Sequence, residues 1–381
     1  MARQTLCRAL NEKNTRIRSS TSFSKIFRYD LNRHRIAFRG ASSRAVKPWR
    51  HRGWRVGRGA AGRTPASRSF LKRDLSSQKP LFRHRIEFFA AQAVLGFLGW
   101  LPQSVARTVC VALAALSYAF WPRLRRVGMF NLGIAFPEWT DKRRRKVLFA
   151  EFLNLGRMLA DFSHFPRLDR ENIDRLIIYD GFENYDEARK KGRGIIFLTA
   201  HFGNWELGSF AHGIYGYPCN FVVREMDNPL MDGLINRYRC ASGGRAIEKR
   251  EFARQTLRAF ERNEAVGILM DQNMLAGEGA FVDFFGLPAS TTTGPARVAR
   301  RTGAPVVLGL VIWDSKLKKY RLRFDRVDWV RCQDPEKEIE ANTANYTRRI
   351  EDYIRRYPDQ WLWVHRRWKT RPPGEPPLYP F

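Results

Sequence analysis

Apolar residues in the second half of the chain form short continuous runs, and stretches with apolar residues at helical spacing separate these runs. Strands that are apolar throughout are typical of a sheet covered on both faces, because a solvated face would produce alternation. We predict strands over 194–199, 220–223, 265–270, 305–312 and 320–324. Helices are predicted over 142–162, 231–242, 252–263 and 336–357. The pattern predicts an α/β fold in which helices flank a central mixed β-sheet.

A longer hydrophobic segment precedes this region. Residues 88–106 contain no charged residue, and the apolar run continues over 108–121. The first stretch approaches the roughly 20 residues that span a bilayer, although Pro102 interrupts its end. Basic residues flank the segment on both sides, as suits an anionic membrane surface. We predict that residues 80–125 form a membrane-associating helical segment that crosses the bilayer or lies in its plane; a pair of core helices is the alternative.

Positive charge is concentrated at the N-terminus. The chain has 68 Lys and Arg against 37 Asp and Glu, a net charge of +31. Residues 1–85 contain 23 basic and three acidic residues and therefore carry +20 of that charge. Residues 1–79 are rich in Arg, Ser and Gly and lack any helical or strand period, so we predict a disordered basic extension. Such a charge imbalance favours a polyanionic partner without selecting among nucleic acid, membrane and acidic protein.

Two other patterns carry no chemistry. The G-x-G-x-x-G sequence at residues 57–62 lacks the preceding apolar strand and following helix of a dinucleotide site, so we interpret it as a chance match. The five cysteines are widely spaced and form no C-x-x-C pair. This spacing argues against a zinc site or a disulfide scaffold and fits a reducing compartment.

The sharpest chemical signal lies where the first predicted strand ends. His201 follows that strand, Glu206 lies five residues later, and Gly203 permits a tight turn between them. Open α/β sheets bind ligands at the carboxyl ends of their strands. A carboxylate held against an imidazole fixes its tautomer and stabilises the imidazolium, so that His201 can remove a proton near neutral pH. The alternative is a histidine that caps a helix and a solvated glutamate in its first turn.

The sequence around this pair, AHFGNWELG, resembles the lipid A late acyltransferases, the lauroyl and myristoyl transferases of lipopolysaccharide synthesis within the glycerolipid acyltransferase superfamily. Further blocks of the same family occur in order: NLGIAFP at 131–137, VR with NP at 223–229, MDQN at 270–273, VDFFGLPAST at 282–291 and YPDQWLWVHRRWK at 357–369. The likeness covers residues 80–373, and the basic extension has no counterpart. It implies a glycerolipid acyltransferase-like α/β domain over 126–373, followed by a tail over 374–381.

This resemblance implies acyl transfer from a thioester to a hydroxyl, with His201 as general base supported by Glu206. Attack is expected to be direct, because no Ser or Cys lies in a nucleophile elbow beside the histidine. Arg224 is a candidate for binding the oxyanion or a phosphate, with a surface ion pair as the alternative. Further candidates for substrate binding are Asn204, Asp271, Gln272 and Arg297. For Asp271 and Gln272 a structural turn is the alternative, and for Arg297 a solvated helix face. No metal or other cofactor is expected.

The resemblance implies three partners. Acyl carrier protein is the acyl donor, a lipid A precursor is the glycolipid acceptor, and an anionic membrane holds the enzyme. The implied location is the cytoplasmic face of the bacterial inner membrane. Three other functions stay open: acylation of another glycolipid, such as a phosphatidylinositol mannoside, from acyl-CoA; hydrolysis by the same His–Glu pair; and nucleic-acid binding through the basic tail. Nucleic acid is not the expected partner, because the rest of the chain lacks a recognition fold.

Overall fold

The computed structural model describes residues 81–381. The predicted basic extension over 1–79, with its glycine-rich sequence, lies outside the described residues. The helices are α1 (Phe82–Trp100), α2 (Gln103–Phe120), α3 (Pro122–Ala135), α4 (Asp141–Ser163), α5 (Phe182–Lys190), α6 (Trp205–Ile214), α7 (Pro229–Cys240), α8 (Phe252–Glu261), α9 (Gly294–Thr302) and α10 (Pro335–Arg356). The strands are β1 (Ile177–Asp180), β2 (Ile195–Thr199), β3 (Cys219–Val223), β4 (Ala246–Glu248), β5 (Ala265–Leu269), β6 (Ala280–Phe284), β7 (Leu287–Thr291), β8 (Val306–Asp314) and β9 (Lys319–Val327).

Seven strands form the central sheet in the order β1-β9-β8-β2-β5-β3-β4, and β6 and β7 form a separate hairpin. The strands β2, β3, β4, β5 and β8 are parallel, whereas β9 runs antiparallel to β8 and parallel to β1. Large apolar clusters cover both faces of the sheet, which explains why β2, β5 and β8 are almost continuously apolar. The predicted mixed α/β sheet is confirmed.

The predicted strands and helices agree with the structure to within a few residues. The helix predicted over 142–162 is α4, which begins after Thr140, whose hydroxyl accepts a hydrogen bond from the backbone N–H of Arg143. The helix predicted over 231–242 is α7, where Asn228 caps the first turn and Pro229 occupies its first position. The elements that were not predicted include the short strands β1 and β4, the helices α3 and α5, and the division of residues 280–291 into a hairpin.

The hydrophobic segment forms two helices that separate at Leu101 and Pro102. Within residues 81–381, α2 is the one helix long and apolar enough to cross a membrane. Both helices expose large apolar side chains: Phe89 is 64%, Trp100 70% and Phe120 81% exposed. The inner face of α2 packs closely on α4, where a side chain on Gly156 would collide with the Cys110 carbonyl. The pair therefore lies on the α/β domain with one apolar side uncovered.

Candidate active site

A cavity of about 650 Å³ opens at the carboxyl ends of β2 and β5. Its floor is one face of the central sheet, and its walls come from α4, α6 and α7. Most of the lining is apolar, and the polar side chains in it include His201, Gln272, Glu206 and Arg224. An apolar pocket with a few converging polar groups is the usual form of a small-molecule site.

The register of the sheet brings His201 to Asp271. Thr199 of β2 pairs with Leu269 of β5, so residues two positions beyond each strand leave the sheet side by side. The Nδ1 atom of His201 lies 2.9 Å from Oδ1 of Asp271. The backbone N–H of His201 donates to Oδ2 of the same carboxylate, also at 2.9 Å. One carboxylate thus orients both the backbone and the ring of His201.

Asp271 is held from behind by the C-terminal segment. The indole N–H of Trp361 donates to its Oδ2 at 2.7 Å, and Trp361 is itself buried. Burial would raise the pKa of Asp271, but the adjacent His201 and the hydrogen bonds from His201 and Trp361 outweigh it and lower that pKa below its usual value. The carboxylate is therefore ionised, and it favours the His201 tautomer with a proton on Nδ1.

In that tautomer Nε2 of His201 is an acceptor. The side-chain nitrogen of Gln272 lies 3.1 Å from it and can donate. The His201 side chain is 21% exposed, whereas that of Asp271 is 2% exposed. Nε2 is thus the ring atom that a molecule in the cavity can reach. A hydroxyl bound there would take the place of the Gln272 amide as the hydrogen-bond donor.

Glu206 has a different partner from the one expected. It is the second residue of α6, and its carboxylate accepts hydrogen bonds from the Arg239 guanidinium of α7, with Nε to Oε2 at 2.8 Å. The predicted contact between Glu206 and the imidazole is therefore replaced by Asp271 on Nδ1. Glu206 still lines the cavity, and with Arg239 it forms a mostly buried ion pair. Its catalytic role stays a prediction.

Arg224 lies at the end of β3 on the rim of the cavity. It is exposed, and no carboxylate within residues 81–381 forms an ion pair with it. The next residue, Glu225, pairs instead with Arg250. The surface ion pair considered as an alternative is thus not formed in the described part of the chain, and the guanidinium is available to an anionic group.

Two predicted substrate-binding residues are engaged elsewhere. Asn204 is fully buried: its oxygen caps α6 by accepting from the backbone N–H of Leu207, and its nitrogen donates to Asp161. Arg297 is on the exposed side of α9, where it pairs with Glu336 of α10 and does not line the cavity. The structure gives both residues structural partners and brings neither to the cavity surface.

The C-terminal segment contains residues that sequence reasoning left out of the site. The His365 ring accepts a hydrogen bond from the backbone N–H of Asn273 at 3.2 Å, and burial lowers its pKa to about 4. Arg367 is completely buried and donates to the carbonyl oxygens of Gln272 and Ser290. These contacts fix the backbone that follows Asp271. The Q-W-L-W and H-R-R-W-K patterns were visible in the sequence, but their contact with the 271–273 turn was not.

Within residues 81–381, no group of three or more histidine, cysteine or acidic side chains is arranged to hold a metal ion.

Comparison with known proteins identifies the family of the chain. Residues 75–370 match the family described as bacterial lipid A biosynthesis acyltransferase. The chain is 29% identical over 287 residues to a lipid A biosynthesis lauroyltransferase of Escherichia coli (strain K12), covering 75% of this chain and 92% of the relative. It is 28% identical to the palmitoleoyltransferase of the same strain, covering 73% and 90%, and 24% identical to the myristoyltransferase, covering 66% and 77%. The chain belongs to the bacterial lipid A biosynthesis acyltransferase family.

Proposed function

We propose that the protein moves a fatty acyl chain from the thioester of acyl carrier protein to a hydroxyl of a lipid A precursor, at the cytoplasmic face of the bacterial inner membrane. The observation that carries this proposal is the ionised, buried Asp271 behind His201, which lines a mostly apolar cavity. A base beside space for a fatty chain is what thioester-to-hydroxyl transfer requires.

The reaction begins when Nε2 of His201 accepts the proton of the acceptor hydroxyl. The hydroxyl oxygen then attacks the thioester carbonyl, and its carbonyl oxygen becomes an oxyanion. When this intermediate collapses, the C–S bond breaks and the ester forms. The imidazolium returns its proton to the departing thiolate, so the enzyme ends in its starting state. Asp271 stabilises the imidazolium throughout, because it is a fixed carboxylate 2.9 Å from Nδ1.

The oxyanion or a phosphate of the acceptor needs a hydrogen-bond donor in the cavity. Arg224 is suited to this, since its guanidinium is charged, exposed and free of a carboxylate partner among the described residues. Gln272 serves as a second donor, because its amide lies beside Nε2 of His201. Glu206 contributes through Arg239, whose position in the cavity wall it fixes.

The positive charge of the protein and the exposed apolar sides of α1 and α2 indicate its partners. A basic enzyme attracts an acidic carrier and an anionic glycolipid over long range. The exposed apolar sides of α1 and α2 fit a bilayer, and Trp100 and Trp121 add aromatic rings suited to its interface. The loop after Arg224 touches this membrane-facing pair directly, because Asn228 donates to the His84 carbonyl and to Glu87 of α1. A lipid acceptor would thus reach the cavity from the membrane surface.

A mass-resolved transfer assay tests the proposal. Purified enzyme would receive acyl carrier protein or coenzyme A carrying the same acyl chain, together with lipid A precursor and mannosylated phosphatidylinositol. We expect the precursor to gain one acyl mass from the carrier protein. If only the mannoside gained mass, the acceptor would be that glycolipid and not the lipid A precursor. Release of free fatty acid with no ester would indicate a hydrolase.

A further inference from the structure

The strand β5 in the floor of the cavity has one position without a side chain, Gly267. Along β5 the side chains on the cavity face belong to Ala265, Gly267 and Leu269, since alternate residues of a strand share a face. Gly267 pairs in register with Phe197 of β2 on one side and Phe221 of β3 on the other. A glycine in the interior of a strand often marks close approach by a ligand, because it has no side chain to pack.

The two phenylalanines beside Gly267 lean away from it. The ring of Phe197 fills the space over Gly309 of β8, where an added side chain would overlap it. The ring of Phe221 lies toward Gly244, whose added Cβ would be 3.6 Å from it. A groove one residue wide is therefore left over Gly267, with an aromatic ring on each side.

The groove is open above its floor. A Cβ added to Gly267 would have as its nearest atoms the Asn220 carbonyl oxygen and the Cys219 sulfur, both at 3.5 Å, which is ordinary van der Waals contact. Cys219 is buried at the deep end, level with Ala265, and burial raises the pKa of its thiol to about 12. The end of the groove is thus formed by an uncharged, unreactive group, as a hydrocarbon terminus requires.

The groove runs back from the reacting groups. Asp271 follows β5 and Gly267 is four residues earlier, which at about 3.3 Å per residue places it about 13 Å from the Asp271 position along the strand. The lining between these points includes Thr199, Leu269 and Val223. The Arg239 guanidinium carbon lies 6.0 Å from the centroid of the Phe221 ring, and its charge is paired with that of Glu206. A chain whose carbonyl lies beside His201 would therefore extend along β5 with its methyl end toward Cys219.

We propose that Gly267 sets the acyl-chain length that the enzyme accepts, with the chain terminus seated over it between Phe197 and Phe221. This inference rests on the proposed acyl transfer. Each methylene added to position 267 removes space for one methylene of the acyl chain. A shorter groove should therefore change the acyl-chain length that the enzyme prefers and leave the transfer reaction itself unchanged.

The experiment uses the full-length variants Gly267→Ala, Gly267→Val and Gly267→Leu, each offered acyl carrier protein loaded with octanoyl, lauroyl, myristoyl or palmitoyl chains. Gly267→Ala is the variant least disturbing to the fold, because its Cβ meets only ordinary contacts. Val266→Ile is the matched control, since it enlarges a buried residue of the same strand that faces the opposite side of the sheet. We expect the ratio of long-chain to short-chain transfer to fall by about tenfold or more in Gly267→Leu, with smaller steps in the other two and no change in the control. Equal losses for every chain length, or an unchanged ratio, would overturn the assignment.

Binding gives a second result that does not depend on turnover. Saturated fatty acids of graded length would displace a fluorescent fatty acid from the wild-type protein and from the same variants. Displacement that shifts to shorter acids in the Gly267 series supports the groove even if the wild-type protein transfers no acyl group, in which case the proposed function alone fails. Transfer by wild type with length preference unaltered in both assays would refute the groove and leave the function intact.

Discussion

Asp271 holds His201 at two points: one carboxylate oxygen accepts the backbone N–H, and the other lies 2.9 Å from Nδ1 of the ring. The imidazole is therefore fixed relative to its own main chain as well as in its tautomer. Glu206, five residues away along the chain, is bound to Arg239 instead. The carboxylate that serves the histidine comes from the neighbouring strand.

Replacing the base should nearly abolish transfer. We expect His201→Ala to reduce turnover by at least about 100-fold, the lower end of the effect of losing a general base. The measurement is the initial rate of ester formation, with circular dichroism to verify folding. His84→Ala is a suitable control, because His84 lies on α1 and does not line the cavity. A near wild-type rate in His201→Ala would remove this residue from the mechanism.

Arg224 should matter to the reaction and not to the fold. Its side chain is exposed and forms no ion pair with the described carboxylates, so Arg224→Ala should leave the thermal midpoint unchanged. Turnover should fall by about 100-fold, the decrease that is typical when an oxyanion donor is removed. Arg326→Ala removes an exposed arginine on β9 that does not line the cavity, and it should have little effect. An unchanged rate in Arg224→Ala would show that this residue is a solvated surface arginine with no part in the reaction.

His212 should make the protein sensitive to acid. It is fully buried among Tyr185, Tyr217 and Phe324, and burial lowers its pKa from 6.5 to about 3. Between these pH values the unfolded chain binds a proton that the folded chain does not, so the free energy of unfolding falls as the pH falls.

We expect His212→Phe to reduce the slope of the free energy of unfolding against pH, between about pH 6 and pH 4, by the amount that corresponds to about one bound proton. The measurement is denaturant unfolding at several pH values. His365, whose pKa is lowered to about 4, keeps part of the slope in that variant. A slope identical to that of the wild-type protein would show that His212 takes up its proton in the folded state.

Removing residues 1–79 separates the enzyme from the nucleic-acid hypothesis. The site residues described above all belong to residues 81–381, so acyl transfer should survive the truncation. Binding to a nucleic acid, driven by the basic N-terminus, should collapse. The readouts are transfer rate and retention of a labelled oligonucleotide at low salt. Loss of transfer with an intact fold would assign the extension a part in the reaction.

Sequence periodicity predicted the elements that are long or uniformly apolar. The strands β2, β5 and β8 are buried on both faces, so nearly every residue in them is apolar and the signal is unambiguous. The strand β4 has only three residues, and β1 has one fully buried residue, Ile177. The hairpin of β6 and β7 depends on Phe285 and Gly286, which both adopt positive φ, and a phenylalanine rarely indicates such a turn.

Of the predicted site residues, His201, Glu206, Arg224 and Gln272 line the cavity and Asp271 contacts His201, whereas Asn204 and Arg297 have structural partners elsewhere; the pairing of His201 was not predicted. The motif spacing placed Glu206 against His201, because contacts between residues far apart in the chain leave no local pattern. In the structure, the parallel register of β2 and β5 decides the pair, since His201 and Asp271 each lie two residues past paired ends. The support from Trp361 and Arg367 depends on how a distant segment packs, and no spacing indicates it.

The most direct test of this account compares the two carboxylates in Asp271→Asn and Glu206→Gln. The measurement is kcat for transfer to the lipid A precursor, with matched folding controls. We expect Asp271→Asn to lower kcat by about 1,000-fold or more, because the amide favours the wrong tautomer of His201. Glu206→Gln leaves the Asp271 carboxylate on Nδ1 of His201, so it should lower kcat by a much smaller factor. The reverse outcome, a larger loss of kcat in Glu206→Gln than in Asp271→Asn, would contradict the pairing of His201 with Asp271 in catalysis.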